Sequence, residues 1–138
     1  MPISDLNLLI ASLDPQLNPG IYAFVSVPDP EILASISVLA SIRETEGLSA
    51  VIPASDAAAL HLPVLLRAAW ITLTVNSDLQ AVGLTAAFAS ALGNAGISCN
   101  VVAGAWHDHI FVPEDQAARA MSVLQGMQSA SAASRDND

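Results

Sequence analysis

Basic residues are scarce in this chain of 138 residues. Lysine is absent and the chain has four basic residues, all arginine, against thirteen acidic residues, so the formal net charge is −9. A surface with this charge repels phosphate backbones and anionic lipid headgroups. We therefore expect neither nucleic acid nor a membrane surface as a partner.

Cysteine and long apolar runs are also scarce. Cys99 is the single cysteine, so no internal disulfide can form, which favours a reducing compartment. The start of the chain, MPISDLNLLIASLDP, lacks a basic segment of the kind that opens a signal peptide. The longest apolar stretch is interrupted by His61, Pro63 and Arg67, which excludes it as a membrane span. Together with a hydrophobic content of 53%, these features predict a cytoplasmic globular protein.

Short runs rich in β-branched and aromatic residues predict six strands. They are IYAFVSV, a pair within SVLASIRETEGLSAVIP that turns at Glu46-Gly47, AAWITLTV, ISCNVVA and HIFVP. The segments between them have helical periodicity. The predicted helices are SDLNLLIASLDP, capped by Ser4 or Asp5, a short turn in PDPEILASI, ASDAAALHL, capped by Ser55 or Asp56, NSDLQAVGLTAAFASALGNAG, and EDQAARAMSVLQGM, capped by Glu114 or Asp115. In the fourth of these, Val82, Ala86, Ala89 and Leu92 or Gly93 are expected to share one face.

The order of these elements contains a repeat. AVIPASDAAAL (50–60) and IFVPEDQAARA (110–120) align at an offset of sixty residues, with Pro53 and Pro113 at the same strand-to-helix junction. Proline suits a first helical turn because it lacks the amide proton that would be left without a partner there. The runs IYAFVSV and WITLTVN also correspond. The alternative is that a proline between a strand and a helix is common in unrelated proteins and that the matching alanines are coincidental.

A repeated strand–helix–strand–strand–helix unit indicates an α+β fold with two ferredoxin-like units in tandem, whose antiparallel sheets carry helices on one face. The predicted divisions are an N-terminal unit at 1–65, a C-terminal unit at 66–128 and a flexible tail at 129–138. Each unit lacks an obvious last strand. Either the N-terminal half lends a strand to the C-terminal sheet, or a second subunit pairs with the open edge.

The run WHDH raises the question of a metal or catalytic site. His107 and His109 are two residues apart and would share a strand face, while Asp108 points away. Two imidazoles are weak support for a metal, since even a catalytic zinc site takes three protein ligands, and His61 and Cys99 stand at no familiar spacing. A Cys99 nucleophile with His107 as base is possible. The alternation around Cys99 favours a small buried apolar side chain instead.

The loop before the fourth helix is a candidate ligand site. Gly83 is expected within the first helical turns, where glycine costs about 1 kcal/mol relative to alanine. One explanation is the close approach of a ligand, whose carboxylate would suit the free amides of a helix N-terminus. The other is that Gly83 only permits tight packing of the helix on the sheet. The sequence leaves both open.

The stretch 71–124, with its segments AVGLTAA, AGISCNVVAG and HDHIFVP, resembles the ACT domain as found in bacterial tandem ACT-like proteins of unassigned function. LDPQLNPGIYAFVSVP and IRETEGLSAVIP resemble the first half of the same group. The resemblance implies βαββαβ units, regulatory binding of a small molecule, typically an amino acid, and no catalysis by the domain. The arginine-sensing tandem ACT proteins of animal cells are similar in plan.

The resemblance also implies where the ligand lies: between the loop after the first strand of one unit and the second strand of another. In this chain the loop comprises Asn76, Ser77, Asp78, Ala81, Val82, Gly83 and Leu84, and the strand residues are Ser98, Asn100 and Val101. Amides near Gly83 would bind a carboxylate, and Asp78 or Asp108 an amine. His107, Asp108 and His109 would form a rim that makes binding or association pH-sensitive. We expect a homodimer, with no metal, cofactor or catalytic residue.

Overall fold

The computed structural model of the protein describes residues 5–76 and 78–136. Its strands are β1 (Pro15–Leu17), β2 (Tyr22–Val27), β3 (Ala40–Glu44), β4 (Gly47–Pro53), β5 (Leu66–Leu73), β6 (Asn100–Ala103) and β7 (Asp108–Pro113). Its α-helices are α1 (Leu6–Ala11), α2 (Ala54–Ala59), α3 (Leu84–Asn94) and α4 (Ala117–Asp136), and 3₁₀ turns occupy Pro30–Leu33 and Glu114–Gln116. Within the described ranges, none of the helices is both long enough and apolar enough to cross a membrane.

All strands pair antiparallel in one sheet of order β3-β4-β2-β5-β7-β6. One edge of β5 pairs with β2 along its first half, Leu66–Ala68, and with β1 along its second half, Ile71–Leu73. The sheet therefore contains the same strand order twice, as β3-β4-β2-β5 and as β6-β7-β5-β1. If the strands of each unit are numbered along its own pattern, both orders are 2-3-1-4, which is the order of a ferredoxin-like unit. This confirms the predicted α+β fold with two such units. They share β5, so the two predicted sheets are one, and the boundary between residues 65 and 66 stays a prediction.

The strand missing from the C-terminal unit comes from the N-terminal segment. Pro15 of β1 pairs with Leu73, and Leu17 pairs with Ile71. Of the two alternatives that the sequence left open, the structure has the first: the N-terminal half lends a strand. Asp5 also caps α1 as expected, since its Oδ1 accepts a hydrogen bond from the amide of Leu8 at 2.8 Å; Ser4, the other predicted cap, lies outside the described residues.

The repeat is visible at the proline junctions. Pro53 and Pro113 precede their helical segments with nearly identical backbone angles, φ −56° and ψ 136° against φ −52° and ψ 140°. Tyr22 pairs with Pro53 and Ala68 with Pro113, so Tyr22 corresponds to Ala68. The predicted correspondence of the two first strands is confirmed for β2 and β5 as strands, but the runs IYAFVSV and WITLTVN matched end to end are three residues out of register. The register is set by the pairing with the strands that end at Pro53 and Pro113.

The helices cover one face of the sheet, as predicted. On that face α1, α3 and α4 bury Ile71, Leu73 and Ile110 in one core, and α2 with the first 3₁₀ turn buries Val25 and Ile52 in a second. On the other face, the cluster around Val51, Ala68 and Phe111 consists of strand residues. The helix-free face is therefore partly apolar.

Four helix boundaries differ from the predictions. α3 begins at Leu84, after Gly83, and it buries Leu84, Phe88 and Leu92, whereas Val82 is 85% exposed. The predicted side-chain caps of α2 (Ser55 or Asp56) and of the last helix (Glu114 or Asp115) are replaced by prolines without a side-chain cap. α4 continues to Asp136, so residues 129–136 are helical where a flexible tail was expected. Gln128 and Ser131 donate side-chain hydrogen bonds to the α1 carbonyls of Ala11 and Asn7, each at 3.2 Å, and so hold the later part of the helix on α1.

Candidate functional site

The loop between β5 and α3 is a tight turn built on Asp78. The Asp78 carboxylate accepts a hydrogen bond from the amide of Gln80 at 2.9 Å, and its carbonyl accepts one from the amide of Ala81 at 2.9 Å. Leu79 and Val82 are 67% and 85% exposed. The loop therefore presents apolar side chains to solvent at one end of the sheet. Ser77, another predicted site residue, lies outside the described residues.

Gly83 is the N-cap of α3 rather than an interior helical residue. Its φ is +101°, a conformation that L-residues rarely adopt, and it makes no side-chain cap. A Cβ at this position would lie 3.1 Å from Leu6 Cδ2, so backbone conformation and packing against α1 both explain the glycine. The first turn of α3 has no side-chain acceptor, and its amides are suited to an anion.

Some predicted loop and strand residues belong to the core. Leu84 is 3% exposed, and the side chains of Ala81 and Val101 pack against the same core. These three residues can offer a ligand only their backbone atoms. Asn76 is half-buried beside the loop, whereas Ser98 and Asn100 are exposed.

The predicted loop and strand halves of the site lie apart within one chain. Ala103 pairs with Asp108, which pairs with Leu73 at the loop end of the sheet. Asn100 is three residues before Ala103 on β6, or about 10 Å along the strand, and Ser98 lies farther still. A site that uses both halves therefore requires a second copy of the chain.

Asp108 and His109 lie on opposite faces of β7, and His107 precedes the strand, so the prediction that the two histidines share a strand face was wrong. Asp108 begins the strand on the helix-covered side and is 8% exposed. His109 lies on the helix-free face, where its Nδ1 accepts a hydrogen bond from Trp70 Nε1 at 3.0 Å and lies 3.1 Å from Thr72 Oγ1. Because an indole nitrogen is only a donor, the contact places the His109 proton on Nε2. Burial lowers the pKa of His109; nearby His107 lowers it further, and Asp108 opposes the shift.

His107 lies in the turn that joins β6 to β7. Its carbonyl accepts a hydrogen bond from the amide of Gly104 at 2.9 Å, and a Cβ on Gly104 would approach that oxygen to 3.0 Å. Among the described residues, His107 Nδ1 is a buried side-chain atom with no hydrogen-bond partner. The neighbouring Trp106 is 71% exposed. This turn and the Asp78 loop lie at the same end of the sheet.

The geometry does not favour the metal or thiol alternative. In the described ranges no three His, Cys, Asp or Glu side chains are grouped so as to hold a metal ion. Cys99 is half-buried against the helix-covered core, and burial raises its pKa to about 11. The predicted base, His107, lies in the turn after Ala103, whereas Cys99 precedes Asn100 at the other end of β6. His109 lies on the opposite face of the sheet, so neither histidine is placed to act as a base for this thiol.

A cavity that the sequence analysis missed lies on the helix-free face. Its volume is about 250 Å³, and its lining includes Phe24, Ile42, Val51, Leu65 and Val102. The sequence signal that could have indicated an apolar second face was the presence of apolar residues at alternating positions on both faces of β2 and β5. They were interpreted only as a sign of buried strands.

Comparison with known proteins identifies both halves of the chain. Two ACT-domain family models match residues 1–69 and 66–126. A protein of unknown function from Vibrio cholerae, described as a possible transport protein, is 43% identical; the match covers 89% of this chain and 95% of that one, with a TM-score of 0.82. None of the functionally curated proteins matches the chain.

More distant structures share the fold. The ligand-free regulatory subunit of aspartate kinase from Thermus thermophilus is 10% identical, with 84% of this chain and 97% of that chain covered and a TM-score of 0.66. The protein Atu0741 from Agrobacterium tumefaciens is 16% identical, with 83% and 87% covered and a TM-score of 0.64. The family matches and the Vibrio relative agree with the tandem units of the sheet. The chain belongs to the ACT domain family.

Proposed function

We propose that this protein is a non-catalytic regulatory sensor that binds an amino acid. The observation that carries the proposal is the first turn of α3, whose amides have no side-chain cap and which follows the exposed Asp78 loop. A ligand carboxylate suits those amides, because a helix N-terminus carries partial positive charge. The Asp78 carboxylate suits an ammonium group. An amino acid has both groups on one carbon atom.

The proposal includes a homodimer in which the second copy completes the site. Ser98 and Asn100 are exposed polar residues next to and on the edge strand β6, at the end away from their own Asp78 loop. A neighbouring copy can bring its β6 edge to the loop, where the Asn100 amide would contact the ligand. The site is then incomplete in a monomer.

A thermal-shift screen against the twenty amino acids tests this function. A ligand that binds only the native state raises the melting temperature, by about 2.7 kcal/mol of apparent stability at 100 times its Kd. We expect one amino acid or a small group to do so. Asp78→Asn, which keeps an acceptor for the Gln80 amide but removes the charge, and Asn100→Ala should each abolish the shift.

The matched control is Asn94→Ala, which removes an exposed amide from the far end of α3 and should leave the shift intact. If none of the twenty amino acids moves the melting temperature, the sensor proposal is wrong and a ligand-free assembly module takes its place. Binding that persists in a strictly monomeric protein would remove the second copy from the site.

A further inference from the structure

The helix-free face of the sheet concentrates the aromatic residues of the chain. Of six aromatic residues in total, four lie there: Tyr22, Phe24, Trp70 and Phe111. Tyr22 meets Trp70 edge to face at a centroid distance of 5.4 Å, and Phe24 meets Phe111 in the same way at 5.5 Å. These rings bury Phe111 to 1% exposure without a covering helix. The face is thus a packed aromatic surface that no helix of the described residues covers.

Both outer strands of the sheet contribute to a cavity on this face, and Phe24 is the aromatic residue that lines it. Ile42 comes from β3, at one end of the strand order, and Val102 comes from β6, at the other. In a flat sheet, six strands would hold these edges about 24 Å apart, whereas a roughly spherical cavity of 250 Å³ is only about 8 Å across. The sheet therefore curls, and each ACT unit supplies part of the cavity wall while the rim stays exposed. This place is distinct from the Asp78 loop.

The lining determines what the cavity can hold. Eight of its ten residues are apolar and the other two are Ser41 and Ser49, so no ionisable side chain lines it. The Ser49 hydroxyl already donates a hydrogen bond to Glu44. Moving a charged group into such a site is costly, because the lining itself has no ionisable side chain to pair with it. The rim side chains Ile42 and Leu65 remain 65% and 72% exposed, which leaves apolar surface for an occupant to cover.

We propose that this cavity binds a small uncharged apolar molecule, a single aromatic ring or a branched aliphatic group of comparable size. An apolar protein cavity of about 150 Å³ is enough for benzene, so 250 Å³ accommodates a ring with a short substituent. The curvature disfavours a second copy as occupant: two concave faces meet at their rims and leave both cavities unfilled. The inference goes beyond the proposed amino-acid site and does not depend on it.

The experiment uses three probes of similar size: n-propylbenzene, 2-phenylethylamine and phenylacetate. We expect n-propylbenzene to raise the melting temperature saturably and to shift the NMR signals of Phe24, Val51 and Val102. The amine and the carboxylate should bind at least tenfold more weakly. Ala40→Phe places a ring in the cavity from a half-buried lining position and should abolish the shift, whereas the matched variant Ala59→Phe, at an exposed position on α2, should retain it.

Three results would overturn the proposal. The first is the absence of saturable binding by n-propylbenzene to the wild-type protein, and the second is an equal shift in Ala40→Phe. The third is a dimer, seen by sedimentation velocity, that Ile42→Ser dissociates and that excludes the probe; a second copy would then occupy the face. The amino-acid screen reports on the Asp78 loop, so either proposal can fail while the other stands.

Discussion

Trp70 and His109 lie on the neighbouring strands β5 and β7, and the indole Nε1 donates a hydrogen bond to His109 Nδ1 at 3.0 Å. The hydroxyl of Thr72 lies 3.1 Å from the same nitrogen and itself accepts a hydrogen bond from Asn18 Nδ2 at 2.9 Å. A proton on His109 Nδ1 would therefore point at an indole N–H. Burial lowers the pKa of the imidazole, and the indole donor at Nδ1 disfavours a proton on that nitrogen.

Stability should decline as the pH falls through the range where histidine titrates. The pKa of His109 is lowered in the folded protein, so the unfolded chain takes up a proton first as the pH drops below about 6.5. The stabilising contribution is complete above that pH and is lost below it. Urea unfolding between pH 7.5 and pH 5 should show this loss, and His109→Asn, which keeps an acceptor for Trp70, should flatten the slope.

The control is His61→Asn, because His61 is exposed and asparagine tolerates its φ of +55°. Its pH slope should match that of the wild type. An NMR titration of the ring proton of His109 measures the direction of its pKa shift directly. A slope that His109→Asn leaves unchanged contradicts the assignment.

Alanine at position 83 should destabilise the protein. Gly83→Ala would place a side chain at a φ of +101° and bring its Cβ to 3.1 Å from Leu6 Cδ2. We expect the free energy of unfolding to fall by about 1–3 kcal/mol. Gly93→Ala is the matched control in the same helix, since its Cβ would meet nothing within 4 Å; it should be neutral or stabilising by up to about 1 kcal/mol. Equal effects in chemical denaturation would refute the strain at position 83.

The N-terminal segment should be required by the C-terminal unit. Leu9 of α1 is fully buried in the core that α3 and α4 cover, whereas Leu17 of β1 is 47% exposed. Leu9→Ala should therefore cost about 2–5 kcal/mol, and Leu17→Ala about 0.5 kcal/mol or less. Denaturant titration measures both changes.

A fragment of residues 66–138 gives a second test of the lent strand. Without α1 and β1 it leaves the edge of β5 unpaired and exposes the core around Leu73, so we expect no cooperative unfolding transition. Adding a peptide of residues 1–20 should restore one, and the same peptide with Leu9→Ala should do so poorly. Independent two-state folding of the fragment would show that β1 is dispensable.

Cys99 should be slow to react with thiol reagents. Burial raises its pKa to about 11, so little thiolate is present at pH 8, and thiolate is the reactive form. With Ellman's reagent at pH 8 we expect a rate at least tenfold below that of the urea-unfolded chain. Similar rates in the two states would reopen the thiol-enzyme alternative.

The candidate site was only partly predictable. The Asp78 loop and the free backbone amides at the start of α3 were predicted because a polar turn before a helix is visible in a short stretch of sequence. Gly83 was assigned to the helix interior, since nothing in the sequence shows that Leu6 lies against it. The aromatic face was missed because a strand that is apolar on both sides does not reveal which side a helix will cover.

The sequence by itself determined the order of the strands from β2 to β7 and of the helices between them, the duplicated unit and the proline junctions at residues 53 and 113, because these depend on propensities and periodicities within a few residues. It did not predict β1, which the structure has at Pro15–Leu17. Only the tertiary structure decided that β1 pairs with β5 across more than fifty residues, that Trp70 meets His109, and that Ile42 and Val102 share one cavity. Such contacts depend on how the whole sheet twists and curls. This curvature accumulates over all the strands, so no short stretch of sequence predicts it.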